Sequence, residues 1–402
     1  MFIFGNMSLD PERRELRSGS MLIPIEPKVF DLLEFLIRNR DHVVSRDELL
    51  ASTWGGRVVS DSAIAVRVNA ARRAIGDDGE QQRWIRTVAR KGFRFVGQVR
   101  EATDPTVPDP TVADEQRIEA HIPSDQKITF CMTKDGVNLA VACLGQGAPL
   151  VLTPTWATHL EHDWQSPTRA RLLQHLAKRF RLIRYDARGF GLSDRNVPDI
   201  SFTTFERDLD TVVDSLHLRR YSILAISQGV PTAIAHAARN SERISRVVLH
   251  GGFALGRNKR GSAKEAEMAQ AWISIMRQGW SDDDSAMLRI FSSVWLPGAS
   301  AEQLRWYATT LRKSTSVENA IRNRNTADAV DVVNLLPKIV VPTLVLHSRH
   351  DNSVPFDEGR RIATSIANAK FVSLDTENHV PLADEPAWHT FVSEIVSFLL
   401  ES

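Results

Sequence analysis

At 402 residues, 43% of them hydrophobic and 25% charged, the chain has an ordinary globular composition and enough length for two domains, each with its own core. Its net charge of +1 calls by itself for no nucleic-acid or membrane partner, and two cysteines, Cys131 and Cys143, are too few for a disulfide framework. No run approaches the ~18–20 apolar residues of a membrane span, and the start, MFIFGNMSLDPERRE, lacks a signal-peptide pattern, so a cytoplasmic protein with no cofactor or metal is expected.

The charge is unevenly placed. Residues 57–100 hold ten Arg/Lys against four Asp/Glu, a local +6, and residues 101–125 hold one against seven, a local −6. Short strands are expected over residues 2–25. EPKVFDLLEFLIRNRDHVVSRDELLASTW then reads as two helices, the first with an apolar stripe of Val29, Leu32, Leu33, Leu36 and Ile37. Ser45 opens the second with Glu48 three places on, a capping box. A third helix, SDSAIAVRVNAARRAIGDD, starts at Ser60 or Asp61, with Ala63, Val66, Ala70 and Ile75 read as inward and Arg67, Asn69, Arg72 and Arg73 as polar surface. RWIRTVARKGFRFVG follows as two short strands around a basic turn, Arg90-Lys91-Gly92.

This order of elements, with SRDELL, VNAARRAIGDD and IRTVARKGFRF, resembles the OmpR/PhoB-type winged helix-turn-helix domain over residues 1–100. The resemblance implies double-stranded DNA as a partner. The third helix would enter the major groove with Arg67, Asn69, Arg72 and Arg73, and Arg90 and Lys91 would reach the minor groove or backbone from the wing. Arg72 reads equally well as a structural arginine pairing with an acid in its own domain. A homodimer is expected by analogy with winged-helix regulators. Response regulators place a receiver ahead of this domain and other relatives place a membrane span after it. Neither pattern is present in the sequence, so the input is expected through the carboxy-terminal half.

EATDPTVPDPTVADEQ, with three prolines and many acids, reads as part of an exposed linker over residues 101–125. Residues 126–402 then alternate strand and helix patterns, the sign of a mostly parallel α/β sheet. A hairpin, ITFCMTKDGVNLAVACLG, turns at Asp135-Gly136, and six apolar strands follow: PLVLTP, RLIRYD, YSILAIS, RVVLHG, PTLVLHS and KFVSLD. Between residues 253 and 334 the strand patterns stop, and Trp, Met and Leu at helical spacing suggest a helical cap. Trp272, Met276, Trp280, Trp295 and Trp306 are expected to pack there.

YSILAIS runs through Ser227 into the helical PTAIAHAARN. Strand, sharp turn and helix are the context of a nucleophile elbow, although the first glycine of Gly-x-Ser-x-Gly is Ala225 here. Asp351 follows the strand PTLVLHS and His379 follows KFVSLD, each at a strand's carboxyl end, where catalytic groups of open α/β sheets collect. Asp375 is a weaker candidate acid. His159, Glu161, His162 and Asp163 lack the spacing of a metal site and read as pocket lining or surface.

With YDARGFGLSD read as a structural turn, residues 126–402 resemble the α/β-hydrolase superfamily, in particular hydrolase domains appended to bacterial transcriptional regulators. The resemblance implies a triad of Ser227 as nucleophile, His379 as base then acid, and Asp351 orienting His379. The oxyanion hole is assigned to the amides of Gln228 and, more weakly, Trp156, which reads equally as pocket wall.

The fold class expected is α/β: an α+β winged helix-turn-helix domain joined by a proline- and acid-rich linker to an α/β-hydrolase domain with a helical cap. Two functions fit. One is a transcriptional regulator whose hydrolase-like domain binds, and turns over, a small apolar ester or lactone-like effector. The other is a serine hydrolase of esterase or lactonase type that uses the winged helix for localisation or autoregulation.

Overall fold

Alternating residues pack the amino-terminal strands. In β1 (Phe2–Phe4) and β2 (Met7–Asp10), Phe2, Phe4, Met7 and Leu9 are buried, while Ile3 and Ser8 between them are more exposed. The computed structural model describes residues 1–5, 7–18, 21–54, 61–77, 79, 82–88, 91–97, 99–101, 122–280 and 285–401. The chain divides into two units at Gln116 and Arg117, within the range expected to be linker, most of which lies outside the described residues.

In the first unit, β3 (Glu15–Ser18), β4 (Met21–Ile23) and the late β7 (Arg100–Glu101) complete an antiparallel sheet of order β4-β3-β2-β1-β7. Helix α1 (Pro27–Arg38) buries the expected stripe together with Phe30. At the start of α2 (Arg46–Trp54), the Glu48 amide donates to Ser45 Oγ at 3.2 Å and the Ser45 amide to a Glu48 carboxylate oxygen at 2.7 Å, so the capping box forms.

Helix α3 (Asp61–Ala74) departs from the expected phase. Its buried face is Ile64, Val68 and Ala71, continued by Ile75, whereas Val66 is 59% exposed and Ala70 half-buried. The side chain of Ala63 lies outside the described residues. The true stripe steps by four and three, and small alanines on both sides of it hid which face turns inward.

The wing is the hairpin β5 (Ile85–Val88) and β6 (Gly92–Phe95). Phe93 and Val44 exchange backbone hydrogen bonds of 2.9 Å, which ties β6 to the segment before α2. Gly92 permits this approach: at φ +141° a Cβ there would lie 2.0 Å from the Val44 carbonyl oxygen.

The second unit opens with the hairpin β8 (Lys127–Met132) and β9 (Asn138–Leu144), turning through Gly136 at φ +84°. Cys131 and Cys143, on these two strands, are half-buried free thiols. Then come β10 (Pro149–Leu152), α4 (Ala170–Ala177), β11 (Arg181–Tyr185), α5 (Phe202–Ser215), β12 (Tyr221–Ile226), α6 (Gly229–Arg239) and β13 (Ile244–His250). After the cap helices α7 (Ala263–Gly279), α8 (Ala286–Trp295), α9 (Ala301–Ser314) and α10 (Val317–Asp328), the chain returns through β14 (Thr343–Ser348), α11 (Phe356–Ser365), β15 (Ala369–Leu374) and α12 (Pro386–Leu400).

The sheet order is β15-β14-β13-β12-β10-β11-β9-β8, parallel except where β9 pairs with its neighbours. Alternation along β12 feeds two cores. Ile223 and Ala225 join the side covered by α5, α6 and α11, while Leu224 and Ile226 join the side covered by α4 and α12. In the cap, Trp272, Met276, Phe291 and Trp295 close on Trp156 from the loop after β10. Each such side chain contributes roughly 1.5–3 kcal/mol on burial. Trp280 is buried with them, and Trp306 instead stacks on His162 at 4.7 Å. Among the described residues no helix is long and apolar enough to cross a membrane.

Candidate functional site

Ser227 occupies the turn between β12 and α6 with φ +55°, a left-handed conformation costing roughly 1–2 kcal/mol for a residue with a side chain. The turn is held on both sides: the Ser227 amide donates to the His250 carbonyl at 2.8 Å, and its own carbonyl accepts from the Val230 amide at 3.0 Å. Gly229 is required, because a Cβ there would lie 2.3 Å from Thr153 Oγ1 and 2.9 Å from the Pro154 carbonyl oxygen. Ala225, where the familiar pattern has glycine, is fully buried and its methyl belongs to the sheet core.

Asp351 and His379 come together from the loops after β14 and β15. His379 Nδ1 lies 2.6 Å from Asp351 Oδ2, and Asp351 Oδ1 accepts from the amides of Ser353 at 2.7 Å and Val354 at 3.0 Å. Burial alone would push the Asp351 carboxyl up. The facing His379, with help from His347 and the Val354 amide, more than reverses this and holds it below the usual range. A carboxylate at Nδ1 fixes the proton there and leaves Nε2 as the acceptor. His379 Nε2 is buried and has no hydrogen-bond partner among the described residues. Ser227 and His379 line one cavity, walled by Trp156, Leu172, Trp295 and Tyr307.

Gln228 follows Ser227 at the head of α6, where first-turn amides have no partner inside the helix, and its side chain donates to Asn323 Oδ1 on α10. Trp156 is buried and stacks on Trp295 at 5.7 Å, with its indole N–H unpaired among the described residues. Because β10 and β12 are neighbours, the loops carrying Trp156 and Gln228 leave the same end of the sheet. Such an arrangement fits attack on a carbonyl with two amides to receive the oxyanion.

The other histidines and acids have local uses. Asp163 binds Arg169 at 3.0 Å and Arg184 at 2.8 Å, and His159 Nδ1 accepts from the amides of Glu161 and His162. Asp375 lies beside His350 at 3.7 Å on the surface, while the carboxylate on His379 is that of Asp351. YDARGFGLSD is a structural turn: Asp186 accepts from the Leu160 and Leu192 amides, and Arg188 bridges Asp208 and Asp135.

In the first unit, Asn69 and Arg73 are exposed on α3 and Lys91 is exposed on the wing, while Arg90 lies outside the described residues. Arg67 is half-buried and pairs with Glu26. Arg72 corrects the expected DNA-facing set. It is only 5% exposed, donates to the Ile85 carbonyl through Nε at 3.1 Å and Nη2 at 2.8 Å, and reaches Thr87 Oγ1 at 2.9 Å. It fastens α3 to the wing and is the structural arginine of the two readings.

Sequence reasoning passed over Arg257, which borders a second cavity at Ser227. Its signal was present in GRNKR, a basic run soon after the carboxyl end of β13.

Residues 20–95 match the family model described as transcriptional regulatory protein, C terminal, and residues 148–386 match the alpha/beta hydrolase fold model. AB hydrolase superfamily protein YisY of Bacillus subtilis (strain 168) is 24% identical over 262 residues, 64% of this chain and 94% of that protein. The phosphate regulon transcriptional regulatory protein PhoB of Escherichia coli (strain K12) is 33% identical over 90 residues, 22% of this chain and 39% of PhoB. Among solved structures, the enol-lactonase from Burkholderia xenovorans LB400 superposes with a TM-score of 0.54 at 26% identity, covering 68% of this chain and all (100%) of that one. The chain belongs to the α/β-hydrolase fold family and carries, ahead of that domain, a DNA-binding domain of the OmpR/PhoB transcriptional-regulator type.

Proposed function

We propose that this chain is a cytoplasmic transcriptional regulator whose hydrolase domain binds and hydrolyses a small apolar ester or lactone-like effector. The observation that carries this reading is the Asp351–His379 contact of 2.6 Å, with an unpaired Nε2 beside the cavity that Ser227 lines. The similarity to an enol-lactonase supports a carbonyl substrate. Ser227 Oγ adds to the carbonyl carbon while His379 Nε2 takes its proton, and Asp351 keeps the resulting imidazolium oriented. The amides of Gln228 and Trp156 receive the oxyanion. Collapse expels the alcohol oxygen, which takes the proton from His379, and water then releases the acyl group by the same steps in reverse.

DNA is contacted by Asn69 and Arg73 of α3 and by Arg90 and Lys91 of the wing, with Arg67 released from Glu26 to join them and the protein bound as a homodimer. Occupancy of the cavity biases the DNA-binding form, which requires that the effector bind two states unequally. The test is a fluorophosphonate probe with peptide mapping, alongside hydrolysis of short-chain esters. Labelling of Ser227, lost in His379→Gln, is expected. An unlabelled Ser227 together with no esterase activity contradicts the reading.

A further inference from the structure

A second, smaller cavity meets the first at Ser227, Trp156 and Trp295. Where the first wall is mostly apolar, this one carries three guanidinium groups, Arg257, Arg260 and Arg324, and a single carboxylate, Asp328. Two of the three cations are matched. Arg324 Nε binds Asp328 at 3.1 Å, and Arg260 binds Glu265 at 3.0 Å outside the cavity wall.

Arg257 is not matched. Its Nη2 donates to the Ser353 carbonyl at 3.3 Å, and its Nη1 is buried with no hydrogen-bond partner among the described residues. Burial and the neighbouring Arg324 push its pKa down to about 10, with Asp328 only partly opposing them. A buried donor left unpaired costs roughly 1–3 kcal/mol, and more when it is charged. The position is nonetheless built in. Gly256 sits so close to the carboxyl end of α10 that a Cβ would lie 2.5 Å from the carbonyl oxygens of both Ala327 and Asp328. That approach seats Arg257 beside Arg324 at the cavity wall.

An anion in the cavity would satisfy the free Nη1 and offset the excess positive charge, and a planar carboxylate suits the guanidinium fork. We propose that Arg257, backed by Arg324, forms a carboxylate subsite beside Ser227. The effector is then an ester or lactone with an apolar part in the larger cavity and a carboxylate-ended arm in the smaller one. This deepens the function proposed above and rests on Ser227 lying at the ligand.

The test uses the full-length Ser227→Ala protein, which holds an ester without turning it over. Ethyl hydrogen adipate and diethyl adipate are titrated while tryptophan fluorescence is followed, since Trp156 and Trp295 border both cavities. The monoester is expected to bind at least about tenfold more tightly, the scale of a hydrogen bond to a charged group. Arg257→Met in that background abolishes the preference, Arg257→Lys keeps part of it, and circular dichroism verifies that each variant is folded. Equal binding of the two esters, a preference that survives Arg257→Met, or no monoester binding at millimolar concentration overturns the proposal. Because no turnover is needed, this result is independent of whether wild-type Ser227 is labelled.

Discussion

Ser227 spends conformational energy to stand at a turn where its hydroxyl meets a cavity, and His379 is buried with one nitrogen on a carboxylate and the other unpaired. Asp351→Asn keeps the shape of this pair but reverses the preferred tautomer of His379. On a short-chain ester it should lower kcat by roughly 10³–10⁴-fold with little change in KM, read by steady-state kinetics. His250 gives a second prediction at this scale. Full burial, with His379 and His347 nearby, pushes its pKa down to about 3, so it stays neutral in the folded protein, whereas the unfolded chain takes up its proton near 6.5. As pH falls below about 6.5, the unfolded state therefore binds more protons and stability declines, by up to about 1.4 kcal/mol per pH unit for one such group, until about pH 3. His347, also held below its ordinary value mainly by burial, acts in the same direction. His250→Asn should flatten the fall in the hydrolase-domain Tm between pH 7 and 5, measured by calorimetry.

The elements explain which residues were legible in the sequence. Ser227, Asp351 and His379 each follow an apolar strand, so their order and their position at strand ends could be read without a structure. Burial of Arg72 could not, because it depends on α3 meeting β5, two segments whose contact no local pattern announces. The phase of α3 slipped for a related reason, since five alanines in the helix blur its inward face. Arg257 was missed because its isolation arises from packing against α10, about seventy residues away. Two predictions follow at this scale. Arg72→Met should lower the Tm of the first unit by several degrees, whereas Arg73→Ala should leave Tm nearly unchanged and reduce both DNA affinity and its salt slope, the latter by about one. Gly229→Ala should cost roughly 1–3 kcal/mol and slow labelling of Ser227, since the added methyl meets Thr153 and the Pro154 carbonyl.

For the whole molecule, a DNA-binding unit and a hydrolase-fold unit share one chain, with a net charge near zero that conceals a +6 stretch followed by a −6 stretch. Average composition therefore gave no hint of DNA, while the local distribution did. The two architectures were legible because each is written in short motifs. The connection between them was not, since any coupling depends on how occupancy of one site changes the energy of another state. The most direct measurement is footprinting on DNA flanking the gene, with the protein before and after fluorophosphonate labelling of Ser227. A specific footprint whose protection or affinity changes on labelling is expected, with no change for Ser227→Ala treated in the same way. A protein that protects no specific site, or whose footprint is indifferent to labelling, would contradict the view that the hydrolase domain reports its occupancy to DNA.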